Sequence, residues 1–301
     1  MLAEKFHMKD LGRLKSFLGI TFDQCDGGVT VSQQSYVCKL LERFNMQDCK
    51  PRSTPCEPKL IYTDGDEKLS DPRKYREVVG SLIYLTSCTR PDMSYVVSKL
   101  SQYFSEPTEQ QWTTVKHVLK YLKGTDEMLC YRKCVEVLRL AAYSYADWAG
   151  DANDRRSTSG YCVSLCKNGP LISWKTKKQP AVVLSACEAE YMALAVEVKS
   201  TRTSKICRCR VKNKQGTIAL AKNPVNRQRC KHIDIKYHFV RSTVNNDEVF
   251  LEYCPADQMV ADPMTKPATK VKLATFSCLG YRKVNMQLIS VMFVFAIVNN
   301  V

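Results

Sequence analysis

Three short segments concentrate positive charge in the second half of the chain: KTKK at 175–178, RCRVKNK at 208–214 and NRQRCKH at 226–232. Lysine and arginine at this density neutralise phosphate groups, and binding that depends on them weakens steeply as salt rises. The whole chain carries 45 Lys and Arg against 30 Asp and Glu, a formal charge of +15, which favours a nucleic-acid partner. The predicted contacting side chains are Lys175, Lys177, Lys178, Arg208, Arg210, Arg227, Arg229 and Lys231. The alternative is solvated surface charge with no ligand.

Two groups of residues have the types that bind transition metals. His232, Asp234 and His238 lie within KHIDIKYHF, but their spacing also fits an amphipathic helix or turn, and we favour that structural interpretation. Cys207 and Cys209 flank a single arginine, which is closer than the two-residue spacer of most zinc sites, and no second Cys/His pair is placed to complete four ligands. The sequence therefore predicts no zinc site.

The elements that position these residues fall into two parts, since 301 residues with 45% hydrophobic composition are long enough for two modest cores. The first part begins with a predicted hairpin, FLGITF (17–22) and VTVS (29–32), around the turn CDGG, whose glycines supply positive φ. A helix follows, with an apolar face formed by Val37, Leu40, Leu41 and Phe44. Further helical patterns cover 73–85, 92–104 and 109–122. Asp92 and Thr108 are the predicted N-caps of the last two.

After Gly124 the pattern changes to strands, predicted at 128–133, 138–146, 161–166 and 170–174. Their close spacing indicates an antiparallel meander. The clearest helix covers 185–198, where Ser185 and Glu188 form a capping box. A short helix (217–223), a strand (248–254) and a helical turn (258–266) complete the series. Strands followed by alternating elements are typical of an α/β or α+β domain.

Cysteine usage and apolar segments suggest where the protein resides. The 15 cysteines are scattered through predicted helices and strands, so we interpret them as reduced thiols. MLAEKFHMKDLG lacks the apolar core of a signal peptide. The apolar run from Leu288 to Val298 has eleven residues, against about twenty needed to cross a bilayer. We therefore expect a cytoplasmic or nuclear protein that is not secreted and has no membrane partner.

Several strings of the chain resemble the copia-type retrotransposon Pol polyprotein: FHMKDLGRLKSFLGI, YREVVGSLIYLTSCTRPDMSYVV, VLKYLKGT, YADWAGDANDRRSTSGY, SACEAEYMAL, QGTIALAKNPVNRQRCKHIDIKYHFVR and DQMVADPMTK. They occur in this order and span about residues 5–280. The resemblance implies that 1–125 is the carboxy-terminal part of a reverse transcriptase, a small domain of primer-contacting hairpin and thumb helices. It implies an RNase H-like mixed sheet with flanking helices at 126–275. Residues 276–301 are predicted to be an unstructured tail.

The resemblance also implies a site. Ribonuclease H uses carboxylates to hold two divalent ions about 4 Å apart, and oxygen ligands suit Mg2+ or Mn2+. Two of the four expected acids are retained, as Glu190 and Asp262. Tyr145 and Asn213 stand at the two positions where the family has aspartate, and a phenol is neutral at pH 7. Asp147, two residues further along the strand and displaced by about 7 Å, is a possible weak substitute.

Three hypotheses about function follow. The first is a former metal-dependent endonuclease for the RNA of RNA–DNA hybrids, now weakly active or inactive. The second is a non-catalytic protein that binds hybrid or duplex nucleic acid through the basic segments. The third is a decayed element product with no function. DNA synthesis by this chain alone is not expected, because the paired aspartates of the family's polymerase site have no counterpart in these residues.

Overall fold

The computed structural model describes residues 12–25, 27–63, 65–133, 140–167, 169–201, 207–211, 217–218, 221 and 234–283. These residues form two five-stranded sheets and a group of helices. None of the described helices combines the length and apolarity needed to cross a membrane. Five residues for which the sequence predicts a role lie outside the described residues: Asn213, Arg227, Arg229, Lys231 and His232.

The first sheet is antiparallel and has the order β1-β2-β3-β4-β10. Its strands are β1 (Ser16–Phe17), β2 (Ile20–Cys25), β3 (Gly28–Ser32), β4 (Glu127–Arg132) and β10 (Tyr281–Lys283). The predicted hairpin is confirmed as β2 and β3. The predicted single strand at 17–22 is wrong, because Leu18 and Gly19 adopt positive φ of 50° and 74° and turn the chain back on itself.

The helical part consists of α1 (Gln34–Arg43), α2 (Pro72–Cys88), α3 (Ser94–Leu100) and α4 (Glu109–Lys123). The predicted helices are confirmed, although the pattern at 92–104 divides into α3 and two flanking 3-10 turns. The predicted N-cap Thr108 is also confirmed, and it forms a capping box with Gln111. Asp92 is not an N-cap. It is buried in the first of these turns and paired with Arg90.

The second sheet is mixed and has the order β7-β6-β5-β8-β9. Its strands are β5 (Leu140–Asp147), β6 (Thr158–Ser164), β7 (Leu171–Lys178), β8 (Cys207–Val211) and β9 (Val249–Tyr253). β5, β6 and β7 form the predicted antiparallel meander, while β8 and β9 run parallel to β5. The helix α5 (Ala186–Thr201) covers one face, and α6 (Asp234–Asn245) packs against it. The predicted α/β class, a mixed sheet with flanking helices, is confirmed.

Strand β4 differs from the prediction, because it pairs with β3 and β10 rather than with the second sheet. Residues on both sides of the predicted boundary at 125/126 therefore share one sheet, and the division into domains stays a prediction. Residues 276–283 are not an unstructured tail. Phe276 and Leu279 are fully buried in the 3-10 turn Thr275–Leu279, and β10 follows it. The rest of the predicted tail, 284–301, lies outside the described residues.

The two sheets share one hydrophobic core. Phe22, Val31 and Leu129 of the first sheet lie in the same apolar cluster as Tyr143 and Tyr145 of β5. The opposite face of the second sheet is covered by α5, whose Ala189 and Leu194 cluster with Ala142 and Ala146 of β5. Alternate residues of β5 therefore face different layers, as the period of a strand requires. This alternation decides where the predicted site residues point.

Candidate functional site

Tyr145, at the predicted first-strand position, is buried. Its side chain is 9% exposed and belongs to the cluster between the two sheets. It pairs in register with Gly160 of β6, where an added Cβ would lie 2.5 Å from the Cβ of Met264. Since real Cβ atoms do not approach that closely, the absence of a side chain at Gly160 lets the turn carrying Asp262 rest on the sheet beside Tyr145.

Asp262 begins the 3-10 turn Asp262–Met264, and its side chain is 8% exposed. Lys266 Nζ lies 2.7 Å from Asp262 Oδ1, and Lys272 Nζ lies 3.6 Å from Oδ2. Lys266 Nζ also lies 5.5 Å from the centre of the Tyr145 ring. Burial by itself would lower the pKa of Lys266, but the hydrogen bond to Asp262 and the charges of Asp262 and Asp147 raise it overall. Two ammonium groups thus compensate the Asp262 carboxylate.

Asp147 ends β5 and is held within its own loop. The amide of Thr158 donates to Oδ1, and the other carboxylate oxygen packs so closely on Gly150 that a Cβ there would overlap it. Burial raises the pKa of Asp147 to about 6, partly opposed by the Thr158 hydrogen bond and by Lys99. Both carboxylate oxygens of Asp147 therefore contact residues of this loop, Thr158 and Gly150, rather than Tyr145.

Glu190 lies on α5 and is 8% exposed, with Oε2 accepting a hydrogen bond of 3.3 Å from the Thr217 hydroxyl. α5 covers the face of β5 opposite to Tyr145. Tyr145 and Asp262 are thus brought together, while the helix that carries Glu190 lies on the other side of the sheet. Among the described residues, no group of three or more His, Cys, Asp or Glu side chains is arranged to hold a metal ion.

Glu188 has the structural role predicted for it. Its amide donates to Ser185 Oγ at 3.2 Å, and its Oε2 accepts from the amide of Leu184 at 3.0 Å. Asp234 and His238 lie on α6, which agrees with the helical interpretation of that segment. Cys209 is buried on β8, an interior strand of the sheet.

The predicted basic contacts divide into exposed and paired residues. Lys175 and Lys177 are exposed on β7. Lys178 is instead paired with acidic side chains of the protein, because its Nζ lies 2.5 Å from Asp151 and 2.9 Å from Asp154. Arg208 and Arg210 lie on β8, where the structure describes the backbone. KTKK therefore supplies two solvent-facing cations.

Sequence reasoning missed Lys266, Lys99 and Gly160. Lys266 could have been found from its spacing, four residues after Asp262, since such pairs meet on a helical turn. Lys99 of α3 lies 2.5 Å from Asp151 in the second part of the chain, and no local pattern indicates that contact. Gly160 is likewise explained only by the turn that packs on it.

Comparison with known proteins adds the family. The profile described as "Reverse transcriptase (RNA-dependent DNA polymerase)" matches residues 1–58. The chain is 40% identical, over 92% of its length, to the retrovirus-related Pol polyprotein from transposon RE2 of Arabidopsis thaliana, of which it covers 20%. It is 41% identical, over 69% of its length, to an uncharacterised mitochondrial protein of the same plant, of which it covers 86%.

Solved structures of similar fold include RNase H1 from Halobacterium salinarum. It is 14% identical, with a TM-score of 0.34, and the match covers 42% of this chain and 94% of that one. The chain spans about a fifth of the length of the transposon polyproteins that it matches. From the transposon relatives and the strings quoted above, the chain belongs to the copia-type retrotransposon Pol polyprotein family, and its residues 1–58 match the reverse transcriptase profile.

Proposed function

We propose that this chain binds RNA–DNA hybrid or duplex nucleic acid through its RNase H-like part and cleaves it weakly or not at all. The observation that carries the proposal is Tyr145, a buried phenol where the family resemblance implies the aspartate of the first strand. A phenol is neutral at neutral pH and is a poor ligand for a hard divalent cation.

The surrounding residues support the loss of catalysis. Asp262 already has two lysine partners, and Asp147 is tied to the amide of Thr158. A pair of ions needs several carboxylate oxygens converging on one point. The donor set of Tyr145, Asp147, Asp262 and Glu190 does not fit Mg2+ or Mn2+ in that arrangement, so we assign these residues no metal-dependent step.

Binding rests on a different set of residues. Lys175 and Lys177 are exposed on one strand, and the chain carries a formal charge of +15. Such a surface neutralises backbone phosphates without reading base sequence. A hybrid would be recognised by groove shape and by the 2'-hydroxyls of its RNA strand.

Cleavage of a labelled RNA–DNA hybrid by the purified chain, in Mg2+ and then in Mn2+, tests the catalytic half. We expect turnover that is absent or only slightly above that of Glu190→Ala, with circular dichroism showing that both proteins are folded. Rapid turnover that disappears in Glu190→Ala would refute the loss of catalysis.

Restoring the missing acids tests the residue assignment. Tyr145→Asp combined with Asn213→Asp should raise cleavage, and adding Glu190→Ala to that variant should remove the gain. A folded double variant without any gain would contradict the assignment of positions 145 and 213. Filter binding of the hybrid at several salt concentrations tests the other half, where we expect affinity to fall steeply as salt rises.

A further inference from the structure

A cavity of about 250 Å³ lies between α2, α3 and the edge strand β7. Its lining is rich in hydroxyl groups and consists of Ile83, Thr86, Ser87, Ser94, Val97, Ser98, Ser101, Trp174, Lys175 and Thr176. No carboxylate contributes to that lining. We call this cavity the hydroxyl groove.

Some hydroxyls of the groove already donate hydrogen bonds to backbone carbonyls of the protein. Those of Thr86 and Ser87 donate to the carbonyl of Ile83, at 3.0 and 2.8 Å. That of Ser101 donates to the carbonyl of Ser98 at 2.8 Å. The Trp174 indole, which forms the apolar wall, donates to the carbonyl of Thr86 at 2.6 Å. The walls are therefore held in place by hydrogen bonds to the backbone.

Two hydroxyls and one ammonium group remain for a ligand. Ser94, Ser98 and Ser101 recur at four- and three-residue spacing and line one face of α3 and the turn after it. Within the described residues, the hydroxyls of Ser94 and Ser98 have no hydrogen-bond partner, and Ser94 is only 7% exposed. Neither hydroxyl oxygen is among the buried side-chain atoms without a partner, so both reach the open space of the groove, where they can donate to a ligand oxygen. Lys175, which has no acidic partner among these residues, adds a positive charge.

We propose that the hydroxyl groove binds one phosphodiester group of a nucleic-acid strand. Hydroxyl donors with a single cation and no acid are the chemistry that recognises phosphate oxygens. The groove is also joined to the candidate site, because the Thr176 hydroxyl donates to the carbonyl of Met264 at 2.7 Å, in the turn that carries Asp262. This inference rests on the proposed nucleic-acid binding and adds a contact at the junction of the helices and the mixed sheet.

The test compares a negative charge inside the groove with one outside it. Ser98→Glu places a carboxylate among the proposed phosphate ligands, and Thr113→Glu adds the same charge on the exposed face of α4. We expect Ser98→Glu to weaken binding of a labelled RNA–DNA hybrid at least about tenfold, because like charges placed together are strongly unfavourable. Thr113→Glu should change it less than about twofold. Lys175→Gln changes an exposed position. It should make the negative slope of log affinity against log salt less steep, by about 0.9 or less.

The possible outcomes separate the two proposals. If the wild-type chain binds the hybrid and both glutamate variants bind equally well, the groove proposal fails and nucleic-acid binding stands. If the folded wild-type chain binds neither hybrid nor duplex, both fail. Competition with a free mononucleotide and with inorganic phosphate distinguishes the source of the phosphoryl group. If the mononucleotide or inorganic phosphate displaces the hybrid when present at the same concentration as the hybrid, the groove binds a small molecule and the proposed contact with a nucleic-acid strand is wrong.

Discussion

The buried ion pair Arg90–Asp92 allows a quantitative prediction about the stability of the helical part. Arg90 Nε and Nη2 lie 3.1 and 2.9 Å from the two oxygens of Asp92, and the side chains are 2% and 1% exposed. Tyr121 donates to Asp92 at 2.7 Å, and Arg90 donates to the Thr125 hydroxyl at 2.7 Å. Both charges are thus hydrogen-bonded, which is the condition under which a buried pair is tolerated.

Asp92→Ala removes the partner of a guanidinium that cannot lose its proton. A buried charge left in this way costs about 3–5 kcal/mol, a large part of the roughly 5–15 kcal/mol that stabilises a typical domain. The exposed pair Lys68–Glu106 provides a matched control, because its nitrogen and oxygen are 3.0 Å apart but the side chains are 68% and 69% exposed. Glu106→Ala should cost no more than about 1 kcal/mol.

Urea unfolding followed by circular dichroism measures both free energies of unfolding. A third variant, Arg90→Met with Asp92→Leu, removes both charges. It therefore shows whether the stability lost in Asp92→Ala comes from the missing attraction or from the unpaired guanidinium that remains buried. It should recover most of the loss, because replacing both buried ions by apolar groups is close to neutral. The reasoning is refuted if Asp92→Ala costs no more than Glu106→Ala, or if the double variant is less stable than Asp92→Ala.

Two further predictions concern the mixed sheet. Glu197 is fully buried and accepts a hydrogen bond from the Cys209 thiol at 2.7 Å, and burial raises its pKa from 4.5 to about 7. Because the folded chain holds this proton where the unfolded chain has lost it, stability should fall as pH rises from 4.5 to 7, by about 3 kcal/mol. Glu197→Gln should remove that component in urea unfolding at pH 4.5 and 8, and an unchanged pH dependence would contradict it. Gly160→Ala should lower the free energy of unfolding by about 1–3 kcal/mol, because its Cβ would meet Met264. Ser159→Ala, on the same strand, loses one hydrogen bond to Gln179 and should cost about 1 kcal/mol, and equal losses would count against the packing argument.

Sequence periodicity predicted the elements whose signals are local. The hairpin of β2 and β3 has turn residues between apolar strands, and the start of α5 is marked by Ser185 and Glu188, whose side chains accept from backbone amides, so a few neighbouring residues suffice. β8 was missed, since its five residues, CRCRV, alternate with arginine and gain their strand structure by pairing with β5 and β9. Asp92 was misassigned as a cap for the same reason, because Tyr121, which binds it, lies 29 residues away.

The candidate site shows the same division between local and distant information. The family resemblance implies an acid where Tyr145 stands, but the surroundings of this tyrosine depend on contacts that no local pattern contains. At 9% exposure, an ionised carboxylate at position 145 would need nearby cations to offset its desolvation. A tyrosine instead adds apolar burial to the core between the sheets. Compared with the aspartate that the resemblance implies, the tyrosine therefore favours the fold, and we predict that Tyr145→Asp is less stable than the wild-type chain even where it restores a ligand.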